Sequence, residues 1–252
     1  MMVERVDVDD CMGQIRDVGY CILGNHFPPD AVETCNRAFQ PLAEAYLAEH
    51  AENPNRGPNR HYIPLPYQPP LYHPAFFDDD GIHAIASGIL GADMAIDQFA
   101  SDTPYNGSVY QDVHADIGAL FAEEPGHLHP PAMLAMNWPF VDVTPERGPF
   151  EVAERTHHLP REEALAKVES GEIPLKPLCM QVGDVLIRDI RTLHRGTPNR
   201  TDTPRVVAVV TFMRSWFCRD GIDTQSVPRS VWDGLTDREQ HLMRRLDIDD
   251  SE

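Results

Sequence analysis

His114 and Asp116 two residues apart, a later His194, and Arg205 eleven residues beyond it are the residues of this chain best suited to chemistry. Two imidazoles and a carboxylate can bind one face of an octahedral ferrous ion and leave the opposite face open. The Arg205 guanidinium offers a planar fork that fits a carboxylate. The set reads as oxygen activation on Fe(II) with a keto-acid cosubstrate: a 2-oxo acid takes two open positions through its keto oxygen and C1 carboxylate, and O2 takes the last. Such a centre oxidises a carbon–hydrogen bond, while the protein supplies position and excludes water.

The His-x-acid pair is a weak signal by itself. With 12 His and 40 acidic residues in 252, chance gives roughly two such pairs, and the chain has two. Local structure separates them. His50-Ala51-Glu52 ends a helical stretch, where neighbours two apart point to different faces. His114 and Asp116 close the β-prone run Gly107-Ser108-Val109-Tyr110-Gln111-Asp112-Val113, and in a strand residues i and i+2 share a face. On a regular strand Gln111 would face away from His114, so a bulge is needed to bring it into the site.

The elements that must position this set change period along the chain. Residues 17–23 are expected as a strand. Asp30 and Glu33 then read as the cap of a helix whose Val32, Cys35, Phe39, Leu42 and Tyr46 make one stripe, with Pro41 expected to kink or divide it. Residues 53–74 are crowded with proline and aromatics, which argues against a helix or a central strand and fits a wrap over the core or a lid. Asp78-Asp79-Asp80 should cap a short helix with Ile82, Ile85 and Ile89 on one face and Gly91 at its end. Beyond it the period becomes 2, with strands expected at 94–100, 108–116, 132–141, 150–153, 176–180, 184–190 and 205–214 and a helix near 161–170. Short strands joined by turns imply an antiparallel sandwich or jelly roll. Thr236 and Glu239 suggest a further capping box, and the acidic tail Asp247 to Glu252 is expected to fray.

Composition narrows the partners. A net charge of −19 repels nucleic acid and anionic membranes, and it reads first as a solubilising surface and second as attraction of a cationic small-molecule substrate. Cys11, Cys21, Cys35, Cys179 and Cys218 are odd in number and contain no CxxC pair, so reduced thiols are expected rather than disulfides or zinc. No apolar stretch is long enough to span a membrane, and the start is acidic (Glu4, Asp7, Asp9, Asp10) rather than basic. A cytoplasmic protein of one domain follows, with a homodimer as the assembly open to it.

Three runs in order carry a family resemblance: Gln111-Asp112-Val113-His114-Ala115-Asp116, Asn137 to Val152 with Thr156-His157, and Gly183 to Asp189 leading into His194. Over residues 95–215 they resemble the phytanoyl-CoA dioxygenase family of Fe(II)/2-oxoglutarate enzymes. The run Ile187 to Asn199 is most similar to natural-product tailoring members such as kanamycin B dioxygenase. The resemblance implies a mainly β fold, a cupin-like double-stranded β-helix with flanking N-terminal helices. Residues 1–92 would support it, 93–216 form the jelly-roll core, and 217–252 add a helical extension.

By the same resemblance His114, Asp116 and His194 match the iron ligands, and Arg205 matches the arginine that binds the distal carboxylate of 2-oxoglutarate. Several family members carry a serine two residues after the distal histidine. This chain has Gly196 there, with Thr197 next as a substitute. Gln111 and Asn137 are further candidates to line the pocket. His127 and His129 are expected in an exposed or substrate-facing loop, and His157 and His158 near the site without binding metal. Asp116 fills the position that halogenating relatives leave for chloride, which leaves hydroxylation, desaturation, ring closure or oxidative deamination. A zinc hydrolase and a non-catalytic jelly-roll binding protein are the rival classes; the first gives no reason for Arg205, and the second would be expected to have a broken ligand triad, whereas all three ligands stand.

Overall fold

A computed structural model describes residues 6–50, 52–118, 120–121, 129–219 and 223–251. Its elements run α1 (Val8–Val18), β1 (Tyr20–Leu23), α2 (Pro29–His50), β2 (Arg60–Pro64), α3 (Pro74–Phe77), α4 (Asp80–Leu90), β3 (Ala95–Pro104), β4 (Met133–Pro139) and β5 (Phe150–Val152). They continue with α5 (Arg161–Glu169), β6 (Lys176–Leu178), β7 (Val185–Asp189), β8 (His194–Gly196), β9 (Val207–Met213), β10 (Ser226–Pro228), α6 (Arg229–Trp232), α7 (Asp237–Met243) and β11 (Asp247–Asp249).

An antiparallel sheet in the order β1-β7-β4-β9-β3-β2 and a smaller one in the order β6-β5-β8 form the two walls of a double-stranded β-helix. The large sheet is covered on both faces. Leu134, Met136 and Trp138 of β4 pack outward with Phe27, Phe76 and Phe99 under the helices, while Met133 and Ala135 point into the barrel. Double coverage explains why β4 and β9 are buried at every position and read as continuous apolar runs. The outward cluster draws residues from Cys11 through Leu246. Among the described residues no helix is long and apolar enough to cross a membrane.

Several local expectations change. Residues 17–18 end α1, and Gly19 closes it with a left-handed φ of 102° before β1 starts. A Cβ on Gly19 would lie 2.3 Å from Thr192 Oγ1, so this tight turn needs glycine. Pro29 opens α2, leaving Asp30 inside the first turn instead of at the cap, and Glu33 pairs with Arg37 at 2.7 Å. Pro41 does not divide α2, because it lies on the exposed face, where the carbonyl it leaves unpaired can turn to water.

Residues 53–74 contain the edge strand β2 and bury Leu65, Tyr67, Leu71 and Tyr72, as a wrap does. The tail pairs in parallel with β10 instead of fraying from Asp247. Asp79 caps α4, Gly91 ends it, and the Thr236–Glu239 capping box stands as expected.

The largest departure concerns 108–116, which form no regular strand. Gln111 N donates to Gly196 O at 3.0 Å, His114 and His194 exchange both backbone bonds at 2.9 Å, and Asp116 N donates to Ile190 O at 3.0 Å. Three residues from Gln111 to His114 therefore span two from Gly196 to His194. The extra residue is the bulge that the Gln111 expectation required.

Candidate active site

His114, Asp116 and His194 converge, with one ligand atom from each lying within 4.8 Å of the others. The two imidazoles are held alike. His114 Nδ1 contacts Asp112 O, and His194 Nδ1 contacts Thr192 O, each at 2.8 Å. A carbonyl only accepts, so each Nδ1 carries a proton and each Nε2 is the ring atom left to a metal. Those Nε2 atoms lie 3.8 and 3.4 Å from Asp116 Oδ1. Burial holds the His194 pKa below its ordinary value, so the ring stays neutral although Asp116 favours its protonation. Two imidazoles and one carboxylate with their ligand atoms turned together fit a divalent cation.

Arg188 on β7 completes the set and went unnoticed in the sequence. Its Nη1 lies 2.8 Å from Asp116 Oδ2, leaving Oδ1 turned toward the histidines. Burial would raise the Asp116 pKa, but Arg188 and His194 outweigh it and hold the carboxyl well below the usual range. Arg188 also lies over the Phe150 ring at 4.9 Å, and the same ring stands 4.7 Å from that of His194.

Arg205 opens toward the same cavity, of about 300 Å³, and is only 3% exposed, which rules out a surface ion pair. Its Nη2 lies 2.8 Å from Asp102 Oδ2, while its Nε has no hydrogen-bond partner. Asp102 also accepts from Arg60 Nη1 at 3.1 Å, so one carboxylate serves two guanidiniums and a positive charge remains. Burial opposes ionisation of Asp102, yet Arg205 and Arg60 keep its pKa depressed.

Gln111 and Asn137 both line the cavity. Gln111 Oε1 accepts from Gly196 N at 2.9 Å, and Asn137 Oδ1 from Arg188 Nε at 3.3 Å. Thr197 is directed elsewhere: its hydroxyl donates to Pro149 O at 2.7 Å, and its carbonyl accepts from Arg60 Nη2 at the same distance. Gly196 now has a physical reason. A Cβ there would lie 2.4 Å from Arg60 Nη1 and 2.6 Å from Gln111 Oε1. Arg60 and Gln111 thus fill the space a serine side chain would need.

Of the remaining histidines, His129 is buried rather than exposed, and His127 lies outside the described residues. His157 contacts Arg16 O at 3.1 Å and Thr192 Oγ1 at 3.4 Å, and His158 contacts Asp17 O at 3.1 Å, so both brace backbone. His50 stacks on Tyr46 with ring centroids 4.2 Å apart and is not part of the ligand cluster.

The cavity wall has a charge balance of its own. It carries Arg56, Arg188, Arg205 and Arg219 against Asp102 and Asp116. The net charge of −19 describes the outer surface, and a recessed site keeps its own sign because the low-dielectric wall focuses its field.

A double-stranded β-helix that gathers His, Asp, His and a buried arginine in one cavity defines the class of iron- and 2-oxoglutarate-dependent dioxygenases. The family model for phytanoyl-CoA dioxygenase (PhyH) matches residues 15–207, and the chain belongs to that family.

Solved structures share the fold. The carbocyclase SnoK from nogalamycin biosynthesis is 20% identical with a TM-score of 0.63, covering 85% of this chain and 87% of its own. HygX from Streptomyces hygroscopicus, with nickel, 2-oxoglutarate and hygromycin B bound, is 16% identical with a TM-score of 0.64, covering 86% and 90%. AviO1 from Streptomyces viridochromogenes Tue57 is 17% identical with a TM-score of 0.61, covering 87% and 99%.

Proposed function

We propose that the protein hydroxylates a C–H bond of a free polar small molecule in secondary metabolism, converting substrate, 2-oxoglutarate and O2 into alcohol, succinate and CO2. The observation that carries this reading is the convergence of the two Nε2 atoms and Asp116 Oδ1 in a cavity shared with Arg205. When bound, Fe(II) supplies the oxidising chemistry that couples decarboxylation of the keto acid to attack on the substrate.

The chain's own residues do the rest. His114, Asp116 and His194 hold the ion, and Arg188 keeps Asp116 turned to it through one oxygen. Arg205 receives the distal carboxylate of 2-oxoglutarate, and Gln111 and Asn137 add polar contacts along the wall. Val207, Val209, Leu186 and Met180 keep that end dry, which strengthens the charge pair. Asp116 occupies the ligand position a halide would need, so halogenation is not proposed. A zinc hydrolase has no use for Arg205.

A free metabolite is favoured over a CoA thioester because a cavity of about 300 Å³ is at the small end for ligand sites and must also hold the cosubstrate. The hygromycin B bound to HygX and the place of SnoK in nogalamycin biosynthesis support a tailoring role. The five free cysteines support a reducing, cytoplasmic setting.

The test is a metabolite screen with Fe(II), ascorbate and 2-oxoglutarate that reads succinate. Substrate-dependent, oxygen-dependent succinate release is expected. Hydrolysis with Zn(II) in the absence of O2 would overturn the reading.

A further inference from the structure

We propose that the outer half of the cavity is an oxyanion subsite, so that the substrate carries a carboxylate or phosphate. This rests on the dioxygenase reading and deepens it. The wall between β2, β3 and β9 forms a connected polar set. Arg56 Cζ lies 4.6 Å over the Tyr62 ring, Tyr62 Oη donates to Gln98 Oε1 at 3.2 Å, and Arg219 Nη2 donates to the same oxygen at 3.0 Å. Thr211 pairs with Gln98 across the ladder. Its buried hydroxyl has no hydrogen-bond partner, and the residue lines the cavity. A buried donor without a partner is costly, and an oxyanion would satisfy it.

The charges agree. Asp97 pairs with Arg219, and Asp102 is shared by Arg60 and Arg205. Asp116 is held by Arg188. Counting Arg60 and Asp97 with the wall leaves an excess of two positive charges. Fe(II) and the 2-oxoglutarate dianion cancel one another, so loading the site leaves that excess unchanged. Among the described residues Arg56 has no carboxylate within ion-pair distance, and it is exposed at the mouth. An ammonium group would meet guanidiniums there, whereas an oxyanion would meet two guanidiniums and the free Thr211 hydroxyl.

The test uses protein loaded with Ni(II) and 2-oxoglutarate, so that no turnover occurs. Calorimetry follows three probes with one aromatic body: benzoate, phenyl phosphate and benzylamine. Binding of 2-oxoglutarate itself is measured first, and its failure would sink the dioxygenase reading instead of this one.

With 2-oxoglutarate bound, benzoate or phenyl phosphate is expected to bind and benzylamine not to. The tighter anion tells which oxyanion the subsite prefers. Arg56→Gln should weaken the anion about tenfold or more, and Thr211→Val, which keeps the branched shape, about three- to tenfold. The affinity for 2-oxoglutarate should hold in both variants. Binding of benzylamine in preference, binding of none of the three, or anion affinities unchanged in both variants would each overturn the proposal.

Discussion

Removal of the Arg205 guanidinium separates cosubstrate binding from folding, because the structure gives Asp102 a second partner. In Arg205→Ala, Asp102 keeps its contact with Arg60 Nη1 at 3.1 Å, so the carboxylate is not stranded and the fold should survive. The 2-oxoglutarate carboxylate has no such reserve: its expected fork, with Nε free of any other partner, is gone. Breaking a buried charge pair by deleting one member costs about 3–5 kcal/mol. At about 1.4 kcal/mol per decade that is a loss of roughly 10²-fold or more in affinity. The assay is calorimetric titration of 2-oxoglutarate into Ni(II)-loaded wild-type and variant protein, beside the apparent KM read from succinate release. Ni(II) affinity should change little, and the far-ultraviolet dichroism not at all. An unchanged 2-oxoglutarate affinity would refute the assignment of Arg205.

Four further outcomes are expected. His114→Ala, Asp116→Ala and His194→Ala should each abolish ferrous binding and turnover with the fold retained; full activity of Asp116→Ala without added halide would remove Asp116 from the ligand set. Arg188→Gln should weaken divalent-metal binding about 10- to 100-fold, the usual cost of losing a ligand's orienting partner, and calorimetry with Co(II) checks it. Gly196→Ser forces a Cβ against Arg60, which Asp102 and Thr197 pin in place, so a loss of about 1–3 kcal/mol is expected in thermal melts; the loss should shrink in an Arg60→Ala background, and equal losses in both would count against the clash. Burial depresses the His157 pKa below 6.5, so its contribution to stability is full above pH 6.5 and is lost as the pH falls, when the unfolded chain takes up a proton the fold resists; wild type should therefore lose more stability than His157→Gln between about pH 7.5 and pH 5.5, as thermal midpoints will tell.

Elements covered on both faces were legible in the sequence, since β4, β7 and β9 announce themselves as apolar runs between turns. Caps were legible where a single side chain closes a local ring, as Asp79 does for α4 and Thr236 with Glu239 for α7. The helix α1 was also legible, since Asp7 caps it and Val8, Cys11, Met12 and Ile15 repeat at helical spacing, although it does not stand among the expected elements. The three-residue β8 was not legible, because its short ladder depends on β5 and on His114, both distant in sequence.

The sequence by itself determined which residues are candidates for the chemistry and the order in which they stand. His114, Asp116, His194 and Arg205 have types that suit a metal and a carboxylate, and side-chain type and spacing are local properties. Which groups surround them was decided by tertiary structure alone. Arg60, Asp102, Arg188 and Thr211 come from four separate stretches, and apart from Arg188, which stands in the run before His194, nothing in their neighbours marks them. The bulge at Gln111 and the need for glycine at 196 arise from contacts with residues distant in sequence, Gln111 with Gly196 and Gly196 with Arg60. The sign of the cavity follows the same logic: net charge sums over the whole surface, while a ligand feels the few charges that folding brings within its reach.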